Sequence, residues 1–284
     1  MTVRIVTDSA CDLPQALADE LGITIVPLAI RFGDDEFIDR RDLSVGEFWR
    51  RCAASPTLPS TAAPSPGAFE ETYRRLASDG ATGVVVVALS GELSATKQAA
   101  ELGARGVADV IRVEVVDSRS ATMGEGMIAV AAARSAANGA SLETVTDLVR
   151  SLAERTRVWG VLDTLDNLKK GGRIGGAKAL VASVLSIKPV IEVRNGKVEE
   201  GGRQRTRSKA LAFLRETVRQ QLEVHGSLQN LAVVHADTDD VGPFVASLNE
   251  FYPEPIVIGE IGAVIGSHTG RGTIGVVFQV PAGS

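Results

Sequence analysis

The sequence predicts two α/β domains in tandem: a three-layer domain on a parallel sheet, residues 1–156, and a two-layer domain on a mixed sheet, residues 157–284. Three observations carry this fold class. GVVVVAL at 83–89 is an unbroken apolar run, the pattern of a strand covered by helices on both faces. Such runs alternate with helical patterns through the first half, which implies parallel strands joined by right-handed crossovers. In the second half Asn195-Gly196 stands between two strand-like runs, the strongest short hairpin signal, and brings antiparallel pairing. Charge divides at the same place: residues 1–156 hold 22 acidic and 15 basic side chains, residues 157–284 hold 13 and 15.

In order along the chain, residues 3–6 read as a strand ending at Thr7-Asp8-Ser9. Asp12-Leu13-Pro14 reads as a helix start, with an acidic N-cap and proline in the first turn, and the helix stops near Gly22. Residues 23–30 form a second strand, and Ser44 caps a helix to about residue 54. Four prolines make 55–66 a loop, and Ser65-Pro66 opens a helix to about residue 79. After the 83–89 strand come a turn at 90–94, a helix to 105, a strand at 110–116 and helices at 123–138 and 142–155. The second half reads as a strand at 158–162, the basic LKKGGRIGG, a short apolar helix and the hairpin. A helix at 207–225 follows, with Ala210, Leu211, Leu214, Val218 and Leu222 at helical spacing, then strands at 231–235, 256–260 and 273–279 and a helix at 241–251.

Composition narrows the function. Hydrophobic residues make up 44% of the chain but aromatics only 4%, against a stacking platform for single-stranded nucleic acid. A net charge of −5 argues against binding a phosphate backbone. Cys11 and Cys52 build no disulfide framework, which suits a reducing, cytoplasmic setting. The N-terminus lacks the pattern of a signal peptide, and the longest apolar runs, such as 177–187, are too short to span a membrane.

Ligands of open parallel sheets bind at the carboxyl ends of the strands. Those ends carry Thr7-Asp8-Ser9, Ser90 to Ser94 and Asp117-Ser118, so the cluster points to a site, although each residue alone suits a turn or a cap. His268 lies in GSHTGRG, where hydroxyls flank it and glycines let backbone approach a ligand; a site and a plain loop suit it equally. Gly124-x-Gly126-x-x-Ala129 imitates a dinucleotide fingerprint but lies beyond its strand, so helix packing explains it better. Ser94, His268 and an acid such as Asp117 would compose a lipid esterase, yet no G-x-S-x-G elbow occurs. No metal-ligand spacing stands out. The basic stretch Arg194–Arg215 reads first as a solvated face and second as a docking surface.

Together the motifs resemble the DegV family, bacterial fatty-acid-binding proteins that serve a fatty-acid kinase. The pieces are Thr7-Asp8-Ser9 with Asp12-Leu13-Pro14, Pro59-Ser60-Thr61 through Pro64-Ser65, Leu93-Ser94-Ala95-Thr96, and Val116-Asp117-Ser118. Leu165 through Ile174, Ile187-Lys188-Pro189, Arg205-Thr206 and His268-Thr269-Gly270 complete the set, which runs over roughly residues 3–280. The resemblance implies a long-chain fatty acid held between the two domains, with its carboxyl group on Thr61, Ser94 and His268. Ser9, Asp117, Ser118, Thr269 and Arg173 are expected nearby. It further implies a carrier and not an enzyme, which presents that carboxyl group to a kinase docked near Arg205 and Arg203, with an acyltransferase as a further partner and passing contact with the membrane. No metal or cofactor beyond the lipid is implied. Ala62-Ala63, Ala95, Lys97 and Arg271 depart from the family pattern. A sugar- or polyol-phosphate binding protein is the remaining alternative, by analogy of architecture.

Overall fold

The computed structural model describes residues 2–181 and 187–283; residues 182–186 of the 177–187 apolar run lie outside them. β1 (Val3–Asp8), β2 (Thr24–Val26), β6 (Gly83–Ala88) and β7 (Val113–Asp117) form a parallel sheet in the order β2-β1-β6-β7. Alternation along a strand sends successive side chains to opposite faces. Val84 and Val86 pack against Phe69 and Tyr73 of α3 (Pro66–Ser78) and Ala100 of α4 (Thr96–Arg105). Val85 and Val87 pack with Met127 and Ile128 of α5 (Met123–Ala137) and Val145 and Val149 of α6 (Leu142–Arg155). All six β6 residues are buried, as the apolar run requires.

The structure corrects the reading of residues 12–66. Asp12 does not cap the helix that follows it: it is left-handed, with φ 50°, and α1 (Gln15–Glu20) begins behind Pro14. The strand expected at 23–30 is two strands. Pro27 offers no N–H to a ladder, the chain turns there, and Leu28 N donates to Ser9 Oγ instead. β3 (Ala29–Phe32) then pairs antiparallel with β4 (Asp35–Ile38), across the two-residue turn Gly33-Asp34, and with β5 (Ser60–Ala62). The supposed proline loop therefore contains a strand. α2 (Val45–Ala54), capped by Ser44 as expected, brings Phe48 and Trp49 into the core.

The second sheet has the order β10-β9-β8-β13-β11-β12. Its strands are β8 (Thr156–Val161), β9 (Lys188–Arg194), β10 (Lys197–Gln204), β11 (Gln229–His235), β12 (Val257–Glu260) and β13 (Ile274–Gln279). β11 and β12 are parallel; the other pairs are antiparallel. Asn195 and Gly196, at φ 52° and 79°, turn β9 into β10. α7 (Asp166–Lys170) and α8 (Lys178–Val181) lie between β8 and β9. On one face Val161, Val233, Val276 and Phe278 pack with α9 (Arg207–His225) and α10 (Val241–Asn249). On the other, Val158, Ala232, Val234 and Val277 join the same core as Ile5, Val85 and α5. α5 is thus shared by both sheets. Its close packing explains Gly124 and Gly126: a Cβ on Gly126 would meet Cys11 O at 2.6 Å. α11 (Ala263–Thr269) folds the segment expected as a glycine-rich loop into a short helix, with His268 on its last turn.

Candidate functional site

Between the two sheets a narrow cavity remains, with about 850 Å³ of space free of protein atoms, mouth included. The loops at the carboxyl ends of the parallel strands supply Leu28, Leu89, Leu93 and Ala121. The inner face of the mixed sheet supplies Val158, Gly160, Ile191, Val193, Val198 and Val234, and α11 supplies Val264 and Ile265. Among the described residues Trp159 is the one Phe, Tyr or Trp on the wall. From Leu162 to Val158 the wall follows β8 for about 13 Å, at about 3.3 Å per residue.

The polar groups gather at one end. Thr61 on β5 and His268 on α11 lie 207 residues apart in sequence, yet Thr61 Oγ1 and His268 Nε2 are 3.0 Å apart. Ser94 precedes α4, where its Oγ accepts from Thr96 N at 3.3 Å and lies 2.9 Å from Thr96 Oγ1. Arg173 reaches the same wall: its Nε donates to Leu93 O at 3.0 Å and its Nη1 to Gly171 O at 2.7 Å. Thr269 lines the cavity too, its hydroxyl donating to Ile265 O at 3.1 Å.

Burial first, and then the Arg173 guanidinium, push His268 down to about 4. The imidazole is therefore neutral at pH 7, and the positive charge at this end belongs to Arg173. Its Nδ1 is buried without a partner, and Gly171 explains how: a side chain there would collide with that nitrogen. The glycine-rich segment after α7 thus leaves room for the ring. Neutral hydroxyls, a neutral imidazole and one guanidinium can hold a carboxylate by hydrogen bonds and charge without covalent chemistry.

The structure brings Thr61, Ser94, His268, Thr269 and Arg173 to this cavity, but not the other expected neighbours. Ser9 Oγ accepts from Leu28 N. Asp117 accepts from Gly91 N and Arg119 N, and Ser118 bonds the backbone of Ser120. These contacts close the turn at 117–120 and tie neighbouring strand ends together. Arg203 pairs with Glu200 on the surface, and Arg205 is exposed just before α9. Sequence reasoning missed Leu28, Thr122 and Thr273 on the wall; only the alternation along β13 and the α5 start could have flagged the last two. Among the described residues no cluster of three metal-ligating side chains occurs, and no helix is long and apolar enough to cross a membrane.

Comparison with known proteins gives a consistent result. The family described as uncharacterised proteins of the DegV family matches residues 2–280. A DegV domain-containing protein of Streptomyces coelicolor is 37% identical over 280 residues, 98% of each chain. A fatty-acid-binding DegV family protein from Thermus thermophilus superposes with a TM-score of 0.91 at 35% identity, over 99% of this chain and 100% of its own. A stearic-acid-binding protein from Eubacterium ventriosum superposes with a TM-score of 0.89 at 25% identity, over 98% of each chain.

Proposed function

The chain belongs to the DegV family, and we propose that it holds one long-chain fatty acid in the cavity between its sheets, with the carboxyl group on Thr61, Ser94 and His268. The observation that carries this reading is the approach of Thr61 Oγ1 to His268 Nε2 at the polar end of a mostly aliphatic cavity. Burying an alkyl chain of about sixteen carbons is favourable by about 10 kcal/mol at about 0.8 kcal/mol per CH₂, an upper scale. The two hydroxyls donate to the carboxylate, and Arg173 beside them offsets its charge. We take the boundary between the two domains to fall at residue 156.

Beyond binding, we propose that the protein is a cytoplasmic carrier subunit without catalysis of its own. A partner kinase binds ATP, one carboxylate oxygen attacks the γ-phosphorus, and ADP leaves as the acyl phosphate forms. The hydroxyls of Thr61 and Ser94 then donate to the phosphate. An acyltransferase is the expected consumer, and passing contact with a membrane the expected source of lipid. Arg203 and Arg205, both exposed, suit the kinase-facing surface. A Ser/His esterase finds little support, because His268 Nδ1 has no carboxylate to orient the ring as a triad needs.

The direct test is to extract the purified protein with organic solvent and identify bound lipid by mass spectrometry. A long-chain acid at one per chain supports the reading; a polar phosphate, or release of free acid from an ester that Ser94→Ala abolishes, sinks it. For the kinase step, Arg205→Ala is expected to leave fatty-acid affinity intact while slowing acyl-phosphate formation at least about fivefold, the scale of a 1 kcal/mol interface contact. Unchanged rates would remove Arg205 from the docking surface.

A further inference from the structure

Asp12 lies deep in the protein, 2% exposed, and its carboxylate joins two segments that both lead to the cavity. Oδ2 accepts from the Thr122 hydroxyl at 2.6 Å, and Oδ1 accepts from Gly262 N at 2.9 Å. In sequence these partners are 110 and 250 residues away. Thr122 lines the cavity and immediately precedes α5. Its backbone, at φ 51° and ψ −147°, sits in a region that side-chain-bearing residues rarely adopt and that persists only when the surroundings hold it. Gly262 immediately precedes α11, so its N–H is one of the donors that a helix start leaves unpaired. A Cβ on Gly262 would lie 3.1 Å from Asp12 Oδ1, so the approach is close. Seven residues of α11 then lead from this anchor to His268 and Thr269.

We propose that Asp12 is a positioning residue for the lipid site: one carboxylate holds Thr122 at the cavity wall and the first turn of α11, and so fixes where His268 meets the lipid carboxyl group. This rests on the fatty-acid reading above. Asp12 touches no lipid; it acts through Thr122 and α11. The helix has other anchors, since Gly266 lies directly against Phe48 and Trp49. Loss of Asp12 therefore frees the start of α11, and lets Thr122 relax, without dismantling the fold. An asparagine at 12 preserves both contacts: its Oδ1 accepts from Gly262 N, and its amide donates to Thr122 Oγ1.

The test uses the delipidated full-length protein, palmitate affinity by calorimetry, and the imidazole proton resonances, with His268→Ala identifying the signal of His268. At about pH 8.5, where Asp12 is ionised, Asp12→Ala is expected to bind palmitate at least about tenfold more weakly, the scale of a hydrogen bond to a charged group, and to move the His268 resonance. Asp12→Asn is expected to recover affinity to within about threefold and to return the resonance, since both contacts survive. In a His268→Ala background, Asp12→Ala is expected to cost clearly less than alone, because contacts that act through one group are not additive. Wild-type affinity in Asp12→Ala with an unmoved resonance, or strict additivity with His268→Ala, overturns the proposal. If Asp12→Ala does not fold, Thr122→Val removes the same hydrogen bond from the other side, with the same readouts. Should the wild type take up no palmitate, the fatty-acid reading fails on its own, and the His268 resonance in Asp12→Ala still decides whether Asp12 positions the helix.

Discussion

Two polar clusters sit near the carboxyl ends of the parallel strands, and they differ in what surrounds them. In the first, Thr7 Oγ1 donates to Glu125 Oε1 at 2.6 Å, while Asp8 accepts from Ala10 N and Leu89 N. Asp8 and Glu125 are 1% and 0% exposed, and neither lines the cavity between the sheets. The second, Thr61, Ser94, Arg173 and His268, is half-buried and opens on the aliphatic cavity. The closed cluster spends its oxygens on buried backbone N–H groups and on the Thr7 hydroxyl, and the open one leaves polar atoms facing space. A carboxylate at a strand end marks a site only where it is not already committed to nearby N–H groups.

Four perturbations bear on this contrast. Asp8→Ala should have the largest effect, because it orphans two buried N–H groups: about 3 kcal/mol of stability lost, read by urea denaturation. Palmitate affinity of the folded fraction should fall less than in His268→Ala, because Asp8 reaches the cavity only through the backbone of Leu89. A large drop in affinity with little loss of stability would place Asp8 in the ligand site and erase the distinction. His268→Ala should show the reverse, an affinity loss of about 2 kcal/mol by calorimetry with stability within about 1 kcal/mol. Equal losses of stability in the two variants would mean that both clusters are structural.

Gly160→Val tests the apolar wall. A Cβ at Gly160 meets no atom closer than 3.7 Å, so the new side chain takes up ligand space without crushing the sheet. About 1 kcal/mol of affinity should go, roughly one methylene's worth of contact, with the fold intact. Undiminished affinity would show that the alkyl chain does not pass β8.

The last perturbation is a change of pH. Burial raises Asp8 to about 6 and Asp12 to about 7, and it raises Asp39 and Glu125 as well. Between pH 5 and 7 the folded protein therefore holds protons that the unfolded chain has released, so stability falls as pH rises through that window. His268 opposes this: with its folded value near 4, the unfolded chain takes up a proton below about 6.5 that the native state refuses. Four acids outweigh one imidazole, so the urea midpoint should be higher at pH 5.5 than at pH 7.5. His268→Ala should steepen the decline, and a midpoint that climbs with pH would mean that the closed cluster is ionised throughout.

Much of the scaffold could be read from residues. GVVVVAL specified a strand buried on both faces, and Asn195-Gly196 specified its hairpin, because each pattern has one dominant physical cause. The small antiparallel sheet was hidden. Pro27 breaks one apparent strand into two, Gly33-Asp34 is a turn signal that went unread, and the prolines around β5 masked three residues of pairing. His268 stood out for its setting, but glycines on either side disguised the helix that carries it. The meeting of Thr61 with His268 joins residues that no local pattern relates, and only family resemblance anticipated it. Spacing likewise could not separate Asp117, which closes a turn, from Ser94, which faces the cavity.

The sharing of α5 has a thermodynamic consequence. One continuous apolar core runs from Ile5 and Val85, through Met127 and Ile128, to Val234 and Val277. Neither sheet keeps a complete core without that helix, so the two topological units are not separate melting units. Heating should unfold them in one transition, and exchange of the proposed lipid is expected to proceed by local fraying at the rim, since hinging the halves apart would expose their common interior.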